Sequence, residues 1–242
     1  MTENQEVITL SHVYYADGNV SILKDITGSF LKGKITTIVG PSGAGKTTLF
    51  KLCNGLISPA SGDIFFNGKR IDTYEPTELR RNVGIALQSP TMISGSVWEN
   101  LSLPLTLQGK QLQEKKAKEL LKLVGLEEKF LNQNVKDLSG GQRQKVSIAR
   151  TLVNQPKVLL LDEITSSLDR VSQQEIEALI VRINKESFTT IIWITHNLEQ
   201  AISIGDYSWV MMGGELIEIV ESSRLLYSKN ESVQQFVKGD IE

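Results

Sequence analysis

One glycine-rich segment limits what this chain can fold into more than any other, namely Gly40-Pro41-Ser42-Gly43-Ala44-Gly45-Lys46-Thr47. It follows an apolar, β-branched run at 35–39 and precedes a helical pattern of apolar residues that starts at Leu49. A strand, a glycine-rich loop and a helix in this order cradle phosphate groups, because the backbone N–H groups point inward at a helix N-terminus. The segment therefore predicts a nucleotide triphosphate site in an α/β fold.

Each part of this segment has a predicted task. Lys46 can reach the β- and γ-phosphates, and the hydroxyl of Thr47 can ligate Mg²⁺. The other phosphate contacts are expected from Gly40, Pro41, Ser42, Gly43, Ala44, Gly45 and Thr48. The alternative is an accidental glycine-rich turn, which average residue frequencies produce in about 1% of chains of this length.

Composition and charge narrow the classes of protein. The chain has 242 residues, a net charge of −2 and scattered basic residues, so nucleic acid is not an expected partner. The single cysteine, Cys53, cannot form an internal disulfide, which favours a reducing cytoplasm. Residues 1–6 are polar and acidic, unlike a secretory signal, and no apolar run approaches the roughly 18 residues of a membrane span. A role at a membrane would therefore need a partner.

Hydrophobic periodicity predicts alternating strands and helices, which is typical of a mainly parallel α/β core. Strands are expected at 7–10, 22–30, 35–39, 64–66, 83–87, 158–161, 190–195, 207–212 and 215–220. The last two flank Gly213-Gly214, which predicts a hairpin. Helices are expected after the glycine-rich segment, at 111–124, from 139 to 153, over 176–183 and at 198–202. Residues 89–104 are predicted to be irregular because of Pro90, Gly95 and Pro104. The stretch 89–154 is predicted as a helical insertion into a core formed by 1–88 and 155–242.

Two adjacent carboxylates follow a continuous apolar run, Val158 to Leu161. Such a run is typical of a parallel strand that is buried on both faces, and open α/β sheets bind ligands at the carboxyl ends of their strands. Asp162 is suited to hold Mg²⁺, and Glu163 to accept a proton from, or to orient, the water that attacks the γ-phosphate. The alternative is a strand that ends in ordinary surface acids.

A second glycine-containing helix start is found at Ser139-Gly140-Gly141-Gln142. Exposed N–H donors beside the Ser139 hydroxyl would form another phosphate cradle. Because one γ-phosphate does not need two cradles from one chain, we expect the two cradles to face each other in a head-to-tail pair of copies. On its own the motif could equally be an N-cap.

With these motifs in place, the sequence resembles the ATP-binding-cassette (ABC) ATPases over essentially its whole length. The family's features occur in order, as the adenine-stacking aromatic Tyr15, the Walker A loop Gly40 to Thr47, the Q-loop Gln88, the signature Leu138 to Gln142, the Walker B carboxylates Asp162 and Glu163, the D-loop Ser167-Leu168-Asp169 and the switch histidine His196.

The resemblance implies a fold, an activity and a set of partners. It implies an α/β P-loop NTPase core with a mainly parallel sheet, an N-terminal antiparallel β subdomain and an inserted α-helical subdomain. It implies hydrolysis of ATP with Mg²⁺, with catalytic roles for Lys46, Gln88, Glu163 and His196, with Thr47, Gln88 and Asp162 at the metal, and with Asp169 near the nucleotide. The implied partners are a transmembrane permease subunit and a second copy of the chain, at the inner face of the cell membrane.

Several assignments keep an alternative at this point. Tyr14 and Tyr15 point to opposite faces of a strand, and Tyr15 is chosen from its distance to Lys46. His196 could be a satisfied polar group at a strand end, and His12 matches no motif. The apolar residues Met92, Ile93, Val97 and Trp98 form either local core or a groove for a helix of the permease.

The function also keeps alternatives. A soluble ABC ATPase that acts on DNA or ribosomes is the second candidate, although the coiled-coil inserts or paired cassettes usual for that class are absent from the sequence. A P-loop kinase is the third, and the signature and His196 argue against it. The segments 88–101 and 160–169 are similar to a small bacterial group of iron- or metal-export cassettes, which suggests a metal ion as cargo.

Overall fold

The computed structural model describes residues 5–239, and residues 1–4 of the polar N-terminal stretch lie outside it. Within this range, ten strands form two sheets, with the bounds β1 Glu6–Asp17, β2 Val20–Leu31, β3 Ile35–Val39, β4 Ser61–Phe66, β5 Lys69–Arg70, β6 Val83–Ala86, β7 Val158–Asp162, β8 Thr190–Ile194, β9 Tyr207–Met212 and β10 Glu215–Glu221. The same residues form eight α-helices, α1 Lys46–Cys53, α2 Pro76–Asn82, α3 Val97–Thr106, α4 Glu114–Leu123, α5 Gly140–Leu152, α6 Arg170–Ser187, α7 Leu198–Ile204 and α8 Glu231–Lys238.

The larger sheet has six strands in the order β10-β9-β3-β8-β7-β6. All neighbours pair in parallel except β10 and β9, which form the antiparallel hairpin predicted around Gly213-Gly214. Every residue of β3, β7 and β8 is buried, because helices or the second sheet cover both faces. The smaller sheet is antiparallel, with the order β2-β1-β4-β5. The predicted fold class is confirmed.

Alternate residues of β8 show how the larger sheet divides the core. Ile191 and Trp193 belong to the cluster that also contains apolar residues of α3, α4 and α5. Ile192 and Ile194 belong to the cluster on the other face, together with α1 and the smaller sheet. The larger sheet therefore lies between two close-packed apolar layers.

The expectation that 89–104 is irregular is confirmed for 89–96 and wrong from Val97 onward, where α3 begins and continues through Pro104. The hydroxyl of Ser96 accepts a hydrogen bond from the backbone N–H of Glu99 at 3.2 Å, and the Glu99 carboxylate accepts from the Ser96 N–H at 2.6 Å. This capping box starts the helix firmly. Pro104 lies inside α3, two residues before its end, and removes the hydrogen bond that a backbone N–H would donate there.

Strand lengths were also underestimated, since β1 and β2 each span 12 residues. Short helices α2 and α8 were not predicted from the sequence. Among residues 5–239, no helix combines the length and the hydropathy that a membrane crossing requires.

Candidate functional site

Three parallel strands deliver the predicted site residues to one edge of the larger sheet. The glycine-rich loop follows β3, the two carboxylates end β7, and His196 lies two residues beyond β8. The register pairs Asp162 with Ile194, and the N–H of Glu163 donates to the carbonyl of Ile194 at 3.1 Å. A pocket of about 360 Å³ opens there, lined by Ile22, residues 42–48, Glu163 and His196.

The start of α1 is open to this pocket. Gly45 precedes the helix with φ 90°, and no side chain caps the first turn. Helix N-termini have backbone N–H groups without intrahelical partners and carry a partial positive charge, so this end suits an anion. The backbone at 45–48 therefore fits a phosphate group.

Lys46 lies at the centre of the loop and is only 5% exposed. Its Nζ donates to the backbone carbonyls of Gly40 and Pro41, each at 2.7 Å. Burial lowers the pKa of Lys46, and the nearby charges of Glu163 and Asp162 partly offset this effect. The ammonium group is thus held in place by the loop itself and would gain from a bound anion.

Asp162 and Thr47 form a pair of oxygen ligands. The Thr47 hydroxyl donates to the Asp162 carboxylate at 3.2 Å, and Asp162 is buried. Burial raises the pKa of Asp162, while the hydrogen bond from Thr47 and the charge of Lys46 act in the opposite direction. A hydroxyl, a carboxylate and the phosphates of a substrate form a ligand set that Mg²⁺ prefers, so these residues fit a magnesium ion.

Glu163 and His196 lie 33 positions apart in sequence but are in contact in the structure. Nε2 of His196 is 2.5 Å from Oε1 of Glu163. The backbone of Glu163 has φ 50°, a conformation that costs non-glycine residues about 1–3 kcal/mol and is concentrated at functional sites. The pair places a proton acceptor and an imidazole at the wall of the phosphate pocket.

Tyr15 and Gln88 do not line this pocket among the described residues. Tyr15 is half-buried and pairs with Leu23, the neighbour of the pocket residue Ile22. Gln88 is exposed and lies two positions beyond Ala86, the end of β6, which pairs with Leu161 of β7. Gln88 is therefore at the same edge of the sheet as the pocket, one strand further out.

The signature residues also lie outside the pocket. The Ser139 hydroxyl accepts from the N–H of Gln142 at 3.2 Å, and the Ser139 N–H donates to the Gln142 side chain at 2.9 Å. The N-cap alternative is thus realised within this chain. Gly140 lies between these two residues, at the first position of α5, and is exposed.

Asp169 likewise caps a helix. It accepts from the N–H of Ser172 at 3.0 Å and from the Ser172 hydroxyl at 2.7 Å, and these bonds lower its pKa. A Cβ added to Gly141 would lie 2.9 Å from Oγ of Ser172, so the starts of α5 and α6 are packed together. The motifs around 139–142 and 169 form one surface.

Sequence reasoning missed Ile22, in the pocket wall, and Met211, which packs against the start of the phosphate loop. Ile22 contributes to the wall and looks like any other strand residue in the sequence. Met211 acts through its backbone: a Cβ on Gly40 would lie 1.9 Å from the Met211 carbonyl oxygen. A backbone contact of this kind leaves no pattern in the sequence.

Comparison with known proteins gives the same picture. The family profile described as "ABC transporter" matches residues 23–166, more than half of the chain. YjkB of Bacillus subtilis, named as an ABC transporter ATP-binding protein, is 42% identical over 98% of this chain and 96% of its own length. FetA of Escherichia coli, named as a probable iron export ATP-binding protein, is 36% identical over 83% of this chain and 89% of its own. MetN of Vibrio cholerae, named as a methionine import ATP-binding protein, is 39% identical over 98% of this chain and 71% of its own length.

Solved structures agree with these relatives. CbiO1 of Clostridium perfringens, described as part of the ABC transporter complex cbiONQ, superposes with a TM-score of 0.84 at 31% identity, covering 97% of this chain and 96% of that one. The ATP-binding cassette MJ0796, a dimer in a post-hydrolysis state with ADP and Pi, gives a TM-score of 0.77 at 30% identity, covering 89% and 98%. Nucleotide binding and ATP hydrolysis are thus activities of structures closely similar to this one. The chain belongs to the ABC transporter family, as an ATP-binding subunit with ATPase activity.

Proposed function

We propose that this chain powers transport by clamping Mg·ATP between two of its copies, arranged head to tail, and hydrolysing it. The observation that carries the proposal is the contact of Glu163 with His196, 2.5 Å apart, at the wall of a pocket that also contains Lys46 and the uncapped start of α1. Phosphate binding and proton acceptance are thereby brought together in one place.

Each residue of the proposed nucleotide site has a distinct role. Lys46 and the backbone of 43–48 hold the phosphates, while Glu163 accepts a proton from, or orients, the attacking water. His196 contacts the γ-phosphate and keeps the Glu163 carboxylate in position. Thr47 and Asp162 would hold Mg²⁺, with Gln88 reaching it from the outer strand, and the ion would neutralise phosphate charge when bound. Tyr15 would stack on the adenine, a contact worth roughly 1–3 kcal/mol.

The position of the signature supports a paired arrangement. None of residues 139–142 is among the described residues that line the phosphate pocket. Ser139, Gly140 and Asp169 are exposed, so the surface that they form is available to the nucleotide held by another copy. The dimeric state of the structurally similar MJ0796 is consistent with this arrangement.

A permease subunit is the proposed partner at the membrane. The insertion formed by 89–154 carries apolar side chains in contact with solvent, with Leu107 77% and Ile93 39% exposed. Met92 and Trp98 are half-buried and pack against the core of the insertion. This surface follows Gln88 directly in the chain, so motion at the nucleotide would reach it. Docking there would hold the protein at the cytoplasmic face of the membrane.

A metal ion is the proposed cargo, supported by the likeness of 88–101 and 160–169 to metal-export cassettes and by the name of FetA. Cells without the chain should then retain more iron, which elemental analysis of washed cells measures. Unchanged content of iron and other transition metals would point to another cargo.

Replacement of Glu163 by glutamine tests the hydrolytic site. Glu163→Gln should keep its affinity for ATP and lose hydrolysis by about 10²- to 10⁴-fold, the range for removal of a general base. It should also accumulate an ATP-dependent dimer in gel filtration. Glu221→Gln, which alters a surface ion pair with Arg224, serves as the control and should hydrolyse normally. Near-normal hydrolysis by Glu163→Gln would refute the proposed role.

Mixing two inactive variants tests the paired site. Ser139→Arg damages the signature and Lys46→Ala damages the phosphate loop, so a mixed pair retains one complete site only if the two motifs act across the interface. Each mixed pair keeps one of its two sites and about half of the pairs formed at random are mixed, so we expect the mixture to recover up to about a quarter of the activity of the unmodified protein. A mixture no more active than its components would show that each chain acts alone.

A further inference from the structure

A buried glutamine outside the recognised motifs connects the two loops that carry Glu163 and His196. Gln200 belongs to the first turn of α7 and is only 3% exposed. Its Nε2 donates to the hydroxyl of Thr165 at 3.2 Å and to the carboxylate of Glu177, on α6, at 2.7 Å. Because a carboxylate only accepts hydrogen bonds, the amide nitrogen must face Glu177.

On the His196 side, Gln200 is fixed through its backbone. The side chain of Asn197 caps α7 by accepting from the N–H of Gln200 at 3.1 Å. The N–H of Asn197 in turn donates to the hydroxyl of Thr195 at 3.0 Å. His196 is therefore held between two residues that are both anchored, and the position of α7 sets the position of the imidazole.

On the Glu163 side, Thr165 is the centre of the loop between β7 and α6. The carbonyl of Glu163 accepts from the N–H and the hydroxyl of Ser166, at 3.1 and 2.9 Å. The carbonyl of Thr165 accepts from the N–H of Leu168 at 3.1 Å and from Nε2 of Gln173 at 3.0 Å. This loop leads directly to Asp169, so a contact with Thr165 acts on Glu163 and on the start of α6 together.

We propose that Gln200 is a positioning residue, which locks the loop of His196 to the loop of Glu163 at their outer ends. The pairing of β7 with β8 holds the inner ends, through Asp162 opposite Ile194. The Gln200 amide supplies the second attachment, so the carboxylate and the imidazole are fixed from both sides. The inference rests on the roles proposed above for Glu163 and His196.

The unsatisfied atom of Gln200 favours this role over simple packing. Its Oε1 is buried and has no hydrogen-bond partner among the described residues. Buried polar atoms without partners are uncommon in native proteins, and an apolar side chain would avoid that loss. The glutamine keeps an acceptor unpaired while its Nε2 connects Thr165 to Glu177.

The test measures the affinity for ATP and the kcat of hydrolysis separately for each variant. Gln200→Leu should bind ATP within about 2-fold of the unmodified chain, while kcat falls by about 10- to 100-fold, the effect expected when catalytic groups are misplaced by a fraction of an ångström to 1 Å. Gln108→Leu is the matched control, because Gln108 also donates through Nε2 to two acceptors, Pro104 and Asn154, which do not line the phosphate pocket. Its kcat should be unchanged.

A reciprocal exchange keeps the test decisive if Gln200→Leu folds poorly. Gln200→Glu places two carboxylates against each other and should lose turnover. Adding Glu177→Gln reverses the pair, so that an amide on α6 and the hydroxyl of Thr165 both donate to the carboxylate oxygen that takes the place of Nε2. We expect this double variant to recover most of kcat.

Two outcomes would overturn the proposal. One is a kcat for Gln200→Leu equal to that of the Gln108→Leu control, and the other is no recovery in the double variant. Glu163→Gln, measured alongside, separates the two levels of inference. If it is inactive while Gln200→Leu is normal, only the positioning role fails; if it hydrolyses ATP normally, the proposed site itself fails.

Discussion

Replacement of Gly40 by alanine would test whether the loop geometry depends on its neighbour strand rather than on the phosphate. Gly40 follows β3, whose last residue, Val39, pairs with Val210 of β9. Its φ is 145°, and an added Cβ would lie 1.9 Å from the carbonyl oxygen and 3.0 Å from the carbonyl carbon of Met211. No rotation of a side chain can relieve this overlap, because both atoms belong to the backbone.

Two costs add in Gly40→Ala. The backbone conformation costs alanine about 1–3 kcal/mol. Overpacking costs about 1–3 kcal/mol in a close-packed interior, and we place this site at the upper end because the neighbour is backbone. The sum of about 4–6 kcal/mol is a large share of the 5–15 kcal/mol by which domains are usually stable.

Gly68→Ala provides the matched control. Gly68 also has a positive φ, 74°, but a Cβ there would meet nothing within 4 Å. It should therefore show only the conformational cost of about 1–2 kcal/mol. Urea and thermal unfolding of both variants would measure the difference, which we expect to be about 3 kcal/mol, or a Tm lower by roughly 6–12 °C for Gly40→Ala. Equal Tm values for the two variants would refute the argument from the Met211 carbonyl.

Two further measurements address buried groups at the two ends of α1. Lys46→Ala should weaken ATP binding by at least about 100-fold, since loss of one donor aimed at phosphate costs roughly 3–4 kcal/mol. Lys51 is exposed on the same helix, so the control Lys51→Ala should bind ATP normally. Unchanged affinity of Lys46→Ala in an equilibrium binding assay would contradict the phosphate assignment. Burial raises the pKa of Cys53 from 9.0 to about 12. The contribution of Cys53 to the free energy of unfolding is therefore fully present below pH 9.0 and lost as the pH rises toward 12. A thiol reagent should label Cys53 only after unfolding. Rapid labelling of the folded protein at pH 8 would contradict its burial.

Much of the fold could be predicted because its signals are local. The continuous apolar runs at 158–161 and 190–195 predicted β7 and β8 to within a residue at either end. The hairpin around Gly213-Gly214 was predicted from its turn residues alone. The prediction of irregular structure is confirmed for 89–96 and wrong from Val97 onward, because Pro104 does not prevent a helix that the capping sequence Ser96-Val97-Trp98-Glu99 starts.

Local signals of this kind predicted only part of the candidate site. Lys46, Asp162, Glu163 and His196 were named from their motifs, and the structure brings them together at one edge of the sheet. Gln200 was not named, since its role depends on two acceptors that lie 35 and 23 positions away in the chain. The roles of Tyr15, Gln88 and the signature residues remain predictions, because these residues lie outside the phosphate pocket of this chain.

By itself, the sequence determined the chemistry that is available here: a phosphate-binding loop, two carboxylates after a buried strand and a histidine after the next. Backbone propensity and hydrophobic periodicity depend on a few consecutive residues, and each of these motifs lies within such a short segment. Only the tertiary structure decided which groups touch, because strand order and register place Glu163 against His196 and the carbonyl of Met211 against Gly40. Contacts between distant segments depend on how whole layers pack, and no short window of residues contains that information.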